Sequence, residues 1–294
     1  MERFDDPAAA ARWCATAVER GDSIGFVPTM GALHAGHLEL VRRAAAENDL
    51  AVVSVFVNPL QFDDPTDFAR YRRDFEGDCA QLHAAGCAMV FTGDTAGFFG
   101  SADLQSIPRQ DPGFGADGLE GTKRPGHFEG VATIVRRLFQ LVRPVRAYFG
   151  EKDFQQTLVV RALADRMGYP QIAVCPTSRE PSGLARSSRN SLLEPADLAR
   201  APALFAALAA TRAAWVRGER DAARLEAVLA EHLAQAGIKI EYAAVRDPEV
   251  WTGDGRPVGP LEHGQALVAA RLGGVRLIDN LRLDGPLPIL GASA

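Results

Sequence analysis

The chain has little cysteine. Its four cysteines, at positions 14, 79, 87 and 175, include no C-x-x-C pair. That scatter argues against a zinc knuckle or a disulfide scaffold. No apolar run approaches the ~20 residues of a membrane span. The first ten residues, MERFDDPAAA, are acidic and hold no apolar stretch of the signal-peptide kind. A cytoplasmic, reducing setting is the expectation. Basic residues are not in excess: 32 Lys and Arg face 37 Asp and Glu, a formal net charge of −5. The chain as a whole therefore lacks a nucleic-acid footprint. Several phosphate and hydrolase motifs are also missing. There is no G-x-x-x-x-G-K-[ST], no G-x-G-x-x-G after a strand, no G-x-S-x-G and no H-E-x-x-H.

What remains is an ordinary globular composition, 47% hydrophobic and 23% charged over 294 residues. At about 150 residues per domain this predicts roughly two domains. The first part alternates β-rich runs with helical patterns. Ser23 to Val27 reads as a strand stopped by Pro28, and Ala51 to Val57 as a buried parallel strand. Between them, His37 to Glu47 carries apolar residues at helical spacing, which completes a βαβ unit. A helix at 74–85 and a strand at 88–91 follow, then a helix at 130–142, a strand at 147–149, a helix at 153–167 and a strand at 172–174. This alternation predicts a doubly wound, Rossmann-like α/β domain with a parallel sheet.

Near residue 178 the pattern changes. Helices at 195–216 and 220–236 precede strands at 238–245, 265–271 and 275–278, which predicts a smaller α+β C-terminal domain. The expected domains are thus 1–178 and 179–294. The stretch 106–130 is rich in Gly and Pro and reads as a long, functional loop.

The strongest local signal is Pro28-Thr-Met-Gly-Ala-Leu-His34-Ala-Gly-His37, placed after a strand and before a helix. A helix start offers unpaired N–H groups and the positive end of the dipole, which suit phosphate. Gly31 and Gly36 allow close backbone approach. His34 and His37 can both donate to one anion. The plain alternative is a turn with two exposed histidines. A zinc pair would need a third ligand that the neighbourhood does not supply.

Other groups are more ambiguous. Asn58, Pro59 and Gln61 follow a buried strand, where α/β sheets place ligands, or they form a simple polar turn. Lys152 suits a polyphosphate. Asp153 is as good an N-cap as a ligand. Gln156 could lie on a solvated helix face. Ser187, Ser188, Arg189 and Asn190 suit triphosphate oxygens or a capping turn. Arg124-Pro-Gly-His127 ends the long loop and is expected to border the site.

Taken together, GFVPTMGALHAGH at 25–37, SVFVNPLQF at 54–62, RPGHFEGVATIV at 124–135, YFGEKDFQQ at 148–156, GLARSSRN at 183–190 and RLIDN at 276–280 resemble one family in collinear order. It is the pantothenate synthetase (pantoate–β-alanine ligase) family of the HxGH nucleotidylyltransferase superfamily. The resemblance implies ATP-dependent condensation of pantoate with β-alanine through pantoyl adenylate. It also implies Mg²⁺ with the ATP, small-molecule partners, a homodimer, and a C-terminal domain that closes over the ATP site.

Carried over residue by residue, His37 is the proton donor, and His34, Lys152, Ser187, Ser188 and Arg189 complete the catalytic clamp. ATP is expected along Met30, Gly31, Ala32, Leu33, His34, Ala35, Gly36 and His37. It is also expected at Gly150, Glu151, Lys152, Asp153 and Ser178, and along Ser187 to Asn190. Gln61 is expected to contact pantoate and β-alanine, and Gln156 pantoate. Asn58, Met30, Tyr71 and Arg124 complete the substrate set. The chain departs from the family pattern at Arg72, Ser178, Ser182 and Arg186, so a paralogous amide ligase or a nucleotidylyltransferase is the alternative.

Overall fold

Successive residues of a strand face opposite sides of a sheet, and the central strands use both sides for core. Phe26 and Val52 pack into one hydrophobic cluster, and their neighbours Val27 and Val53 into another. A computed structural model describes residues 1–288 and 290. Its chain divides into two units. The first comprises Met1–Ala116, Glu120–Glu151 and Gln155–Cys175; the second comprises Asp117–Leu119, Lys152–Phe154 and the chain from Pro176 on.

In chain order the first unit holds β1 (Glu2–Phe4), α1 (Pro7–Glu19), β2 (Ile24–Thr29), α2 (Ala35–Glu47), β3 (Leu50–Val55), α3 (Pro65–Arg70), α4 (Phe75–Ala84), β4 (Met89–Phe91) and α5 (Thr95–Phe99). It continues with α6 (Glu120–Lys123), α7 (His127–Val142), β5 (Arg146–Gly150), α8 (Phe154–Met167, whose first residue groups with the second unit) and β6 (Gln171–Cys175). Among the described residues, the six strands form one parallel sheet in the order β1-β4-β3-β2-β5-β6. The chain runs outward from β2 through β3 to β4, then crosses back to β5. The β2/β5 border is therefore the topological switch point, where such sheets bind ligands beyond their carboxyl ends. α7 presents Val131, Ile134, Val135, Leu138, Leu141 and Val142 to the core, as its 3.6-residue pattern predicts.

The second unit contains α9 (Pro195–Arg200), α10 (Ala203–Val216), α11 (Ala222–Gln235), β7 (Lys239–Arg246), β8 (Gln265–Leu272) and β9 (Val275–Arg282). Its three strands are antiparallel in the order β7-β8-β9. Ala266, Val268, Ala270 and Leu272 of β8 join Leu208 of α10 and Leu225 and Leu229 of α11 in one core. Leu267, on the other face, packs with Leu119 and Ala244.

Several elements differ from the sequence expectation. β2 continues through Pro28, which pairs in register with Ser54. The β5 ladder reaches only Gly25 and Phe26 of β2, so the N–H that Pro28 lacks has no ladder partner to lose. The helical stretch 195–216 is two helices, α9 ending at Arg200 and α10 beginning at Ala203 beyond Pro202. The 106–130 stretch holds a 3-10 turn, α6 and the start of α7.

Candidate active site

In the first unit, β2 delivers the chain into a tight loop and then α2. Gly31 has φ +76° and Ala32 φ +51°, both left-handed. A Cβ at Gly31 would sit 2.7 Å from an Asp78 carboxylate oxygen and 3.0 Å from Val55, so only glycine fits. Asp78, on α4 and 3% exposed, accepts the N–H groups of Ala32 at 3.1 Å and Leu33 at 3.0 Å. Burial pushes its pKa up, against those two hydrogen bonds. Asp78 thereby fixes the loop that carries His34, a role sequence reasoning missed. A lone Asp in an amphipathic helix gives no such signal.

His34 is the N-cap position of α2, and His37 is in its first turn. The His34 N–H donates to His37 Nδ1 at 3.4 Å, and the two rings lie 4.0 Å apart. An Nδ1 that accepts leaves the neutral ring's proton on Nε2. Helix geometry leaves the N–H groups of Ala35 and Gly36 without intrahelical carbonyls. Met30 through His37 thus lead from the strand into a helix start, a geometry that suits an anion.

The second predicted cluster is one hydrogen-bonded group. Asn58 is 1% exposed; its Nδ2 donates to Gln61 Oε1 at 3.0 Å and to the Gly130 carbonyl at 3.1 Å. Gln61 Nε2 reaches Met30 Sδ at 3.0 Å. Sulfur is a weak acceptor, so a substrate oxygen can readily replace it. A Cβ at Gly130 would overlap the Leu60 carbonyl oxygen at 2.1 Å, so glycine there permits the close pass of α7 behind this turn.

Arg124 is committed to holding that turn. Its Nε donates to Asp63 at 3.0 Å and its Nη2 to the Gln61 carbonyl at 3.3 Å. Its Nη1 lies 3.1 Å from His127 Nε2. Arginine can only donate, so His127 Nε2 accepts and Nδ1–H donates to the Gln61 carbonyl at 2.7 Å. Tyr71 stacks edge-on against Phe62, ring centroids 5.8 Å apart. In the glutamine pair, Gln155 is buried and accepts the Glu120 N–H at 3.0 Å, while Gln156 is half-buried. Gly150 ends β5, and the Glu151 N–H donates to the Cys175 carbonyl at 2.8 Å.

Burial, aided by the Arg124 charge, pushes the His127 pKa down to about 4 from its ordinary 6.5. The unfolded chain therefore binds this proton first as pH falls. The stability tied to neutral His127 is whole above pH 6.5 and drains away between about 6.5 and about 4. At ~1.4 kcal/mol per pKa unit the loss reaches at most roughly 3 kcal/mol. Urea unfolding across this range should show that slope in the native chain and a smaller one in His127→Gln; equal slopes would refute the assignment.

The second unit carries the remaining predicted residues. Lys152 Nζ lies 3.4 Å from Asp153 Oδ1. Residues 178–186 form a short hairpin: Arg179 bridges Ala185, and the Arg186 N–H donates to the Ser178 carbonyl at 2.9 Å. The charge of Arg186 is met by Glu180 at 3.1 Å. Ser187 Oγ accepts the Arg189 N–H at 3.3 Å, capping a 3-10 turn at Ser188–Leu192, and Asn190 Nδ2 donates to the Ala185 carbonyl at 3.0 Å. Hydroxyls, guanidinium and amide thus occupy one turn.

A parallel α/β sheet with a helix-start anion cradle at its switch point defines a nucleotide- or phosphate-handling class. Sequence and structure comparisons narrow it. The pantoate-beta-alanine ligase family profile matches residues 2–282, and the chain belongs to that family. It is 48% identical to the pantothenate synthetase of Thioalkalivibrio sulfidiphilus over 276 residues, 90% of this chain and 92% of that one. The pantothenate synthetase of Thermus thermophilus superposes with TM-score 0.86 at 41% identity, covering 96% of this chain and 99% of that one. The pantoate-beta-alanine ligase of Francisella tularensis, solved with β-γ ATP and β-alanine, superposes with TM-score 0.77 at 31% identity, covering 97% and 99%.

Proposed function

We propose that the chain condenses pantoate with β-alanine at the expense of ATP, giving pantothenate, AMP and pyrophosphate. One observation carries the reading: the His34/His37 helix start lies in a chain that matches the ligase family across residues 2–282. A carboxylate is a poor acyl donor, so it must first be activated. A pantoate carboxylate oxygen attacks the α-phosphorus, and the bond to pyrophosphate breaks. The β-alanine amine then attacks the acyl carbon, the bond to AMP breaks, and the amine loses a proton. Neither step needs a covalent bond to the protein. Catalysis is positioning and stabilisation of charge on phosphate oxygens.

His34, His37 and the α2 N–H groups suit the phosphates, as do Lys152, Ser187, Ser188 and Arg189. Asp153 suits the ribose. Met30 to Leu33, Gly150, Glu151, Ser178 and Asn190 complete the ATP contacts. Gln61, Asn58 and Gln156 are neutral amides suited to the hydroxyl and carboxylate groups of pantoate, with Met30 and Tyr71 beside them; Arg124 contributes by fixing the Gln61 backbone. The domain arrangement proposed is a nucleotide- and pantoate-binding part at 1–178 and a part at 179–294 that closes over ATP. Mg²⁺ fits as a companion of the ATP phosphates, which take it with few protein ligands. Among the described residues, no group of three or more His, Cys, Asp or Glu is placed to hold a metal alone. A homodimer and a cytoplasmic setting complete the reading; four buried, free cysteines suit a reducing compartment.

Pyrophosphate release tests the reading. With pantoate and ATP a single-turnover burst is expected; adding β-alanine should give steady turnover and free AMP. AMP retained on the product would indicate a nucleotidylyltransferase, and silence from folded, ATP-binding protein would indicate another acid. The glutamine is tested separately. Gln61→Ala should raise the KM for pantoate about tenfold, the worth of one hydrogen bond to a charged group, and leave the KM for ATP alone. Unchanged pantoate kinetics would remove Gln61 from the site.

A further inference from the structure

The RLIDN block within β9 has no chemistry assigned to it above, yet its last two residues are buried: Asp279 is 4% and Asn280 3% exposed. Every polar group of Asn280 is engaged. Its side-chain Nδ2 donates to the Lys152 carbonyl at 2.8 Å, and its Oδ1 accepts from Gln265 Nε2 at 2.8 Å. Its main-chain N–H donates to Asp279 at 2.8 Å, and its carbonyl accepts from Arg179 Nη2 at 3.1 Å. Arg179 continues the chain of contacts, donating to the Gly183 carbonyl at 3.1 Å inside the hairpin that leads to Ser187. All of these residues lie in the second unit.

A primary amide is the side chain this position requires. It must donate to a carbonyl and accept from another amide in a dry site. Aspartate could not donate, and leucine could do neither; each would leave a buried partner unsatisfied. Fixing the Lys152 carbonyl fixes the peptide from which the Lys152 side chain springs. The same residue borders the ion pair that anchors the Arg179–Ala185 hairpin.

We propose that Asn280 is a positioning residue for the phosphate-binding groups, setting Lys152 and the Ser187–Arg189 turn in one fixed arrangement. The proposal rests on the assignment of those groups to ATP. Gln265 is the brace that holds the Asn280 amide in the required orientation.

The test is single-turnover pyrophosphate release at varied ATP for Asn280→Ala, Gln265→Leu and Lys152→Ala. Leu229→Ala, a core truncation in the same unit, serves as the stability control. Asn280→Ala should lose about 10- to 100-fold in the ratio of adenylation rate to KM for ATP, the scale of a small misplacement of a reacting group. Its KM for pantoate should not move. Gln265→Leu should shift the same parameters less, and Leu229→Ala should lower Tm without shifting them. The proposal is overturned if folded Asn280→Ala behaves like Leu229→Ala while Lys152→Ala is impaired. If Lys152→Ala itself matches the native chain, the phosphate reading falls and this inference with it. Should Asn280→Ala fail to fold, Gln265→Leu decides by the same comparison.

Discussion

His37→Ala is expected to lose about 10²- to 10⁴-fold in the rate of adenylate formation, the range for removing a positioned proton-transfer group. The fold should survive. His37 is half-buried in the first turn of α2, while the core of that helix is Leu40, Val41 and Ala44. The side chain accepts the His34 N–H at 3.4 Å. Because that bond occupies Nδ1, Nε2 is the nitrogen expected to meet the phosphate. His37→Gln separates two roles, since a glutamine amide can donate near the same place but cannot transfer a proton. Recovery of most of the rate in His37→Gln would make His37 a hydrogen-bond donor to phosphate. A rate as low as that of His37→Ala would make it a proton donor. A folded His37→Ala as fast as the native chain would remove the imidazole from the chemistry altogether. Thermal unfolding and single-turnover pyrophosphate release decide among these outcomes.

The sequence marks His37 as a candidate for a physical reason. The cradle is local: strand, glycine, helix start and both imidazoles lie within ten consecutive residues, and helix geometry joins them. The same holds for Asn58 and Gln61, whose side chains bond each other across one turn. What holds these groups in place is not local. Asp78 reaches the loop across 46 residues, Arg179 reaches Asp279 across 100, and Asn280 reaches Lys152 across 128. No periodicity or motif spacing records such pairs; only the folded topology creates them.

Other elements carry local signals of a different kind. Pro7 at the start of α1 and the Asp6 cap, which accepts the N–H groups of Ala8 and Ala9, mark a helix start that acidity and the lack of an apolar run do not reveal. β1 is three residues long, too short for alternation to show. Pro28 reads as a stop because proline breaks ladders, but a ladder needs its N–H only where a neighbour accepts it.

The largest expected effect on stability lies in the second unit. Asp279→Ala should cost about 3–5 kcal/mol, the usual result of stranding one partner of a buried ion pair. Arg179 is 3% exposed, and its guanidinium donates to Asp279 twice, at 2.6 and 2.9 Å. It also donates to the Gly183 and Asn280 carbonyls and lies 4.3 Å from the centroid of the Phe205 ring. With Asp279 gone, that charge keeps only dipoles around it and cannot reach water. Arg179→Met alone should be similarly costly, because it strands the carboxylate. The double variant Arg179→Met with Asp279→Leu should recover much of the loss, since apolar groups of similar volume carry no desolvation penalty. Urea unfolding of the native chain, Arg179→Met, Asp279→Leu and the double variant gives the coupling energy directly. A cost below ~1 kcal/mol for Asp279→Ala would place the pair in solvent-like surroundings and contradict its burial. Stability and function should then part company. The double variant lacks the Arg179 bond to Gly183, so its hairpin loses the anchor that precedes Ser187. It is expected to unfold near the native denaturant concentration yet release pyrophosphate slowly, which would show that the pair is retained for the placement of a loop rather than for net stability.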